Sequence, residues 1–281
     1  MKDTPVLLAM RLLARLLNKI EMVGSEKQKS RNACGNAARV LRNELEKLIP
    51  MIPSYPFRET DPSGIVEEFI AKKPKATQLD VELASLFTAM ISWGNRKAIR
   101  TTARRLVFYE MKYAPQKYIL GELYKNPSTV FQGCVYRTLD YSHFQEVCEN
   151  VRQGLKGKKT IEEALKGKTI EEALSTLCEW LAPAKIGSPG KSVCKRMSMF
   201  LRWMVRREYP DFNVWKSFSP SNLFAIMDVH VNRLTSEMRE CKTATWNGCV
   251  ELTNIFKSWD AKDPLKYDIA LMMYADKALG V

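Results

Sequence analysis

Apolar residues in this chain recur at steps of three and four, which only a helix can gather onto one buried face. From about Gln78 to Trp93, residues Leu83, Leu86, Phe87, Met90 and Ile91 form such a face. Over residues 191–207, Val193, Met197, Phe200, Leu201, Met204 and Val205 form another. Two-residue alternation, the mark of a half-buried strand, is scarce. Glycine and proline stand mostly at segment borders, where they end helices rather than interrupt them. The expected class is all-α.

The punctuation divides the chain further. Residues 1–49 read as two helices joined by the polar stretch Gly24–Arg31, and residues 50–62, with four prolines, as an extended linker. Asp61-Pro62 predicts a helix start with proline in the first turn, and Asp263-Pro264 repeats it. Gly94-Asn95 breaks one helix, and Arg96 opens the next, to about Tyr113, carrying Arg96, Lys97, Arg100, Arg104 and Arg105. Such a turn can aim amides and cations at a phosphate, or it can be a solvated basic face.

Residues 155–174 hold a short tandem duplication, read as a surface segment with Thr160 and Thr169 as helix caps. Residues 208–225 form a loop rich in aromatics, and helices follow from Val229, over Trp246–Trp259 and over Pro264–Ala278.

Charge narrows the partners. Lys plus Arg is 44 against 31 Asp plus Glu, a formal net charge of +13. The excess is spread along the chain, which favours a polyanion-binding surface over a merely soluble protein. The seven cysteines are widely spaced without a C-x-x-C pair, and there are only two histidines. That argues against a zinc site or an iron–sulfur cluster and fits free thiols in a reducing intracellular compartment, cytoplasm or nucleoid or nucleus. No apolar run approaches the roughly 18 residues of a membrane span. Met1–Val23 is amphipathic and bears arginine, but Asp3 and Glu21 favour a packing helix over a mitochondrial import signal.

Two residues suggest chemistry. A lysine amine acts as a nucleophile only when deprotonated, a form that burial and nearby cations favour. Lys195 is flanked by Arg196, follows Lys191 by one turn, and borders an apolar face. Lys191, Lys195, Ser198, Arg202 and Arg206 recur at helical spacing as a stripe that faces either solvent or phosphate. Asp228 follows Ile226-Met227 at the head of a predicted helix, where backbone amides hold a carboxylate ionised. Such a carboxylate can steady an oxocarbenium-like sugar, and an amine can attack its C1′. Base excision also needs a pocket for an extruded base, which the aromatic loop could help line. From spacing alone, an ordinary surface ion pair explains a lysine and an aspartate as well.

Asp228-Val229-His230 resembles the aspartate motif of the helix-hairpin-helix DNA glycosylases, the superfamily of endonuclease III and 8-oxoguanine glycosylase. Asp228–Thr235 is similar to the archaeal 8-oxoguanine glycosylase pattern. The chain resembles more closely an uncharacterised, mainly bacterial family of that superfamily. The likeness runs through Asp61-Pro62, Ile91–Lys97, Val135–Thr138, Lys195–Arg206 and Asp263–Leu271, in order, across roughly residues 40–276.

The resemblance implies two helical lobes with a cleft between them. Residues 50–276 would form that domain, with the chain crossing between lobes, 1–49 an N-terminal helical extension and 277–281 a tail. It puts Lys195 at the catalytic lysine and Asp228 at the catalytic aspartate. The expected contacts to double-stranded DNA are Asn95, Arg96, Lys97, Arg100, Arg137, Lys191, Arg202, Arg206 and His230. No metal, cofactor, membrane or obligate protein partner is implied.

Departures are equally plain. The superfamily's Leu-Pro-Gly-Val-Gly hairpin is replaced by Ile186-Gly187-Ser188-Pro189-Gly190-Lys191, and the stretch from Lys195 to Asp228 is longer than in endonuclease III. Lys191 is therefore a rival nucleophile. The expected function is a DNA glycosylase in base-excision repair, with AP-lyase activity through a lysine Schiff base. The alternatives are a nucleic-acid-binding protein that kept the fold without catalysis, and a protein whose basic face meets another protein or a membrane.

Overall fold

A computed structural model describes the backbone of residues 26–279 and the side-chain surroundings of 33–276. The predicted helix within Met1–Val23 and the tail 277–281 lie outside the residues whose side chains are described. The chain divides into two compact units. One joins the residues up to Tyr55 with those from Leu223 onward, and the other is Pro56–Asn222. Helices dominate both, as expected of an all-α chain, and the sheet has only two short strands.

The first unit begins with α1 (Glu26–Leu48). Residues 50–62 are not the extended linker that the prolines suggested. Ile49–Ser54 is a 3-10 helix, and Phe57–Thr60 is the short helix α2 of the second unit. Prolines at a first turn fit a helix as well as an extended run, because their missing N–H would be unpaired there anyway.

The second unit continues with α3 (Ser63–Lys72), α4 (Gln78–Met90), α5 (Arg96–Arg104) and a π-helical turn, Arg105–Glu110. After α6 (Pro115–Leu120) comes a hairpin of β1 (Cys134–Tyr136) and β2 (Leu139–Asp140), paired antiparallel with Tyr136 opposite Leu139. Then follow α7 (Tyr141–Gly154), α8 (Ile161–Leu165), α9 (Ile170–Trp180) and α10 (Lys195–Val205). At Asp61-Pro62 the expected start holds: Asp61 Oδ1 accepts the Ser63 amide at 2.8 Å.

Helix α4 is the centre of this unit, packed on α3, α6 and α10. Its sequence suggested one buried face, yet Glu82, Ser85 and Thr88 are buried along with Leu83, Leu86 and Phe87. The Ser85 and Thr88 hydroxyls have no hydrogen-bond partner among the described residues, but the charged group of the helix is fully paired. The buried Glu82 carboxylate accepts the Trp215 indole N–H at 2.7 Å, the Ile161 and Glu162 amides at 2.6 and 3.2 Å, and Gln78 Nε2 at 3.0 Å. Burial pushes its pKa up against those donors.

The duplication lies at the surface through its exposed lysines and glutamates, but it is anchored by core residues. Thr160 and Thr169 do cap α8 and α9, but Ile161, Leu165, Ala173 and Leu174 are core. The first copy also presents its amides to Glu82. The aromatic loop is likewise internal at Trp215, which is 1% exposed, packs edge-on against Phe200 and is spent on Glu82 rather than on a pocket wall.

The first unit resumes with an extended stretch and then α11 (Val229–Thr235), α12 (Trp246–Trp259) and α13 (Lys266–Leu279). Helix α1 packs on α13 and on the 3-10 turn Ser236–Met238. Tyr267 donates to Glu46 Oε1 at 2.6 Å, and Leu45, Leu252, Phe256 and Ile269 form the core between these helices. Residues 26–48 are thus part of a folded unit, not an appended extension to a 50–276 domain. Among the described residues, α1 packs on Ile49–Ser54 and on elements from the far end of the chain.

Candidate functional site

Lys195 is the first residue of α10 and is half-buried. Cys194 before it takes a left-handed conformation, φ 49°, and gives the helix no side-chain cap. Arg196 fastens this end in place, donating to Met90 O and Lys185 O, each at 2.8 Å. Met90 ends α4, so the head of α10 is tied to the residue from which the Trp93 turn departs.

The segment that replaces the Gly-rich hairpin is a turn braced by side chains. Cys178 and Cys194 donate to the Gly187 carbonyl at 3.4 and 3.2 Å, and the Lys191 and Ser192 amides to Ser188 O at 3.1 and 3.0 Å. Lys191 is exposed on this turn, outside the helix that was expected to start with it.

The cationic stripe needs correction. Ser198, Arg202 and Arg206 are buried, at 3%, 1% and 2% exposure, so neither arginine faces a phosphate. Arg202 Nε and Arg206 Nη1 each lie 3.1 Å from the Asp211 carboxylate, and Arg206 also donates to Glu208 O and Tyr209 O. A buried aspartate nine residues beyond Arg202 holds both arginines of the stripe in the core. From sequence, Asp211 was one acidic residue in a loop and carried no signal of that role.

Asp228 belongs to the other unit and opens α11. The stretch before it is apolar and buried at Leu223, Ala225, Ile226 and Met227. Having no strand partner, its backbone pairs with side chains. The Ala225 amide donates to Thr253 Oγ1 and the Ile226 amide to Asp268 Oδ1, both at 2.9 Å, and Cys249 donates to Ala225 O at 3.1 Å. That fixes where Asp228 emerges. Its Oδ1 accepts the His230 and Val231 amides at 2.9 Å, as expected of an aspartate cap. The His230 side chain and Val229, 67% exposed, are at the surface beside it.

The basic turn is better formed than its sequence promised. Asn95 caps α5 by accepting the Ala98 amide at 3.1 Å, and Asn95, Arg96 and Lys97 are exposed. Ser92 is buried, bonded to Thr88 O at 2.7 Å. Arg100 is not an exposed cation: it donates to the Arg58 and Asp61 carbonyls, at 3.0 and 2.5 Å, and so is a clamp on the α2–α3 turn. Arg104 pairs with Glu68, and Arg105 donates to Val130 O and lies over the Phe131 ring.

The β1–β2 hairpin, missed because so short a pair leaves little alternation, brings Arg137 to this turn. The Arg137 guanidinium lies 4.2 Å from the Trp93 ring centre, and the Tyr136 hydroxyl donates to Trp93 O at 2.7 Å. Gly94 has φ +99°, and a Cβ there would be 2.7 Å from Arg137 Nη1. Two sequence motifs more than forty residues apart thus meet in one element, exposed at Gly94–Lys97 and at Arg137.

A family model described as "Protein of unknown function (DUF2400)" matches residues 61–275. The chain belongs to the DUF2400 family. No curated protein and no solved structure matches it. The DUF2400 span includes Trp93, Arg137, Lys195 and Asp228 alike, and it starts at Asp61, whose carbonyl Arg100 clamps. Among the described residues of this DUF2400 member, no helix is long and apolar enough to cross a membrane, and no group of His, Cys, Asp and Glu could hold a metal ion.

Proposed function

We propose that this DUF2400 member binds DNA and excises a base from it, with Lys195 as nucleophile and Asp228 as the ionised carboxylate. The observation that carries the proposal is the meeting of the Gly94–Lys97 turn with Arg137 in the unit that bears Lys195. Exposed cations grip phosphates, and the planar groups among them suit bases.

In the proposed reaction, the Lys195 amine attacks the sugar C1′. The glycosidic C–N bond breaks with its electron pair leaving on the base, which takes up a proton. Asp228 serves the positive charge that develops on the sugar. The new ammonium nitrogen then loses a proton; its lone pair forms the C=N bond as the C1′–O4′ bond breaks, and O4′ leaves with the electron pair and takes up a proton, giving the Schiff base that AP-lyase chemistry requires.

The test is borohydride trapping on duplexes carrying 8-oxoguanine, uracil, an oxidised pyrimidine or an abasic site. A covalent complex that disappears in Lys195→Gln supports the proposal. Persistence in Lys195→Gln with loss in Lys191→Gln moves the nucleophile to the turn. Salt-sensitive DNA binding without any trapped species or base release favours a non-catalytic binding protein, and no binding at low salt removes both.

A further inference from the structure

We infer that Arg137 and Trp93 form a stacking platform for one unpaired nucleobase of the DNA, with the guanidinium as its outer layer. The inference deepens the proposed function and rests on its DNA-binding part alone. Three observations converge on it.

The first is the stack itself. The guanidinium lies over the indole, hemmed on its near side by Gly94, while Arg137 as a residue is exposed. A flat cation pinned against an aromatic ring presents its other face to solvent. Such a face takes a base of any sequence by stacking and cation–π attraction.

The second is strain. Arg137 and Thr138 are the two residues linking β1 to β2, and Arg137 has φ 52°, in the left-handed region. That turn position suits glycine or asparagine, and an arginine there costs conformational energy. Within the hairpin the Arg137 side chain also bonds the Tyr136 hydroxyl, which holds the guanidinium at the Trp93 turn.

The third is the company. Asn95, Arg96 and Lys97 are exposed on the turn that carries Trp93, and Lys and Arg side chains there suit the phosphates flanking a displaced base. In a fully paired duplex both faces of each base are already stacked, so the platform gains a base only where one is bulged, mismatched or displaced.

The experiment compares the affinity of the full chain for a paired duplex and for the same duplex with one bulged nucleotide, by fluorescence anisotropy at fixed salt. The wild-type chain should prefer the bulged duplex by about tenfold. Arg137→Lys, which keeps the charge but not the plane, should weaken binding of the bulged duplex about tenfold more than that of the paired duplex and so abolish the preference. Arg137→Asn, which the turn accepts, should melt no lower than wild type and also lose the preference. Equal loss on both duplexes in Arg137→Lys, or a preference that survives in Arg137→Asn, would overturn the inference while leaving DNA binding intact. A chain that binds neither duplex would overturn it together with the proposed function.

Discussion

Arg202 Nε donates to Asp211 Oδ1 at 3.1 Å, with both side chains almost wholly removed from solvent. Arg206 reaches the other oxygen of the same carboxylate at 3.1 Å. Removing the shared anion takes a carboxylate from two buried guanidinium groups at once. Asp211→Ala should therefore cost about 3–5 kcal/mol, read as a lower midpoint in urea unfolding. Arg202→Met should leave the salt dependence of DNA binding unchanged under conditions where it stays folded, because Arg202 has no face to offer a phosphate.

Arg96 and Lys97 give the opposite expectation. Both are exposed beside the Asn95 cap. Replacing either with alanine should leave the melting temperature close to wild type. If each meets one phosphate, the slope of log K against log salt falls by about 1 per substitution. Slopes unmoved in both variants would place the DNA elsewhere.

Gly94 has a conformation and a neighbour that reject a side chain. In Gly94→Ala, the left-handed backbone costs roughly 1–2 kcal/mol, and the new methyl displaces Arg137 from Trp93. The variant should melt lower and lose the bulge preference together, whereas Arg137→Asn should lose the preference without melting lower. Thermal melts and anisotropy on the two variants separate these outcomes.

Trp215 is one of four donors to the buried Glu82 carboxylate. Trp215→Phe keeps most of the ring contact with Phe200 but leaves Glu82 one donor short. A loss of about 1–3 kcal/mol in chemical denaturation is expected.

Asp80 sets a pH dependence of definite sign. Burial alone would raise its pKa, but the Lys73 ammonium at 2.8 Å and the Gln116 and Thr77 amides hold it below the usual aspartate value. The folded state therefore binds the proton less readily than the unfolded one. The resulting stability is complete above an unfolded pKa of about 3.9 and disappears as pH falls through the lower folded-state pKa. In Asp80→Asn, the stability lost between pH 5 and the acid limit should shrink. An unchanged acid limb would contradict it.

Much of the architecture could be read from residue order, because caps and breakers act locally. Asp61-Pro62, Thr160, Thr169, Asn95 and Asp228 stand where helices begin, each through a bond within two or three residues. What escaped depends on partners far away in sequence. Glu82 is held by residues of α8 and by Trp215, and α4 shows no such need in its own pattern. Arg202 and Arg206 share helical spacing with Lys195, and spacing cannot tell a phosphate-facing arginine from one closed over a buried aspartate. The Trp93–Arg137 stack was hidden differently. Both motifs could be recognised singly, but a three-residue strand and a two-residue turn are too short to predict their meeting.

The arrangement of α1 with α13 has a consequence for biosynthesis. The helices that cover Leu41 and Leu45 come from residues 223 onward, so they leave the ribosome after the whole Pro56–Asn222 unit. That unit can fold while translation continues. The earlier helix must meanwhile wait for α13 and the turn Ser236–Met238, which pack on it in the folded chain. A nascent chain stalled before residue 223 should therefore recruit chaperones through α1, and release of the finished polypeptide should end that need.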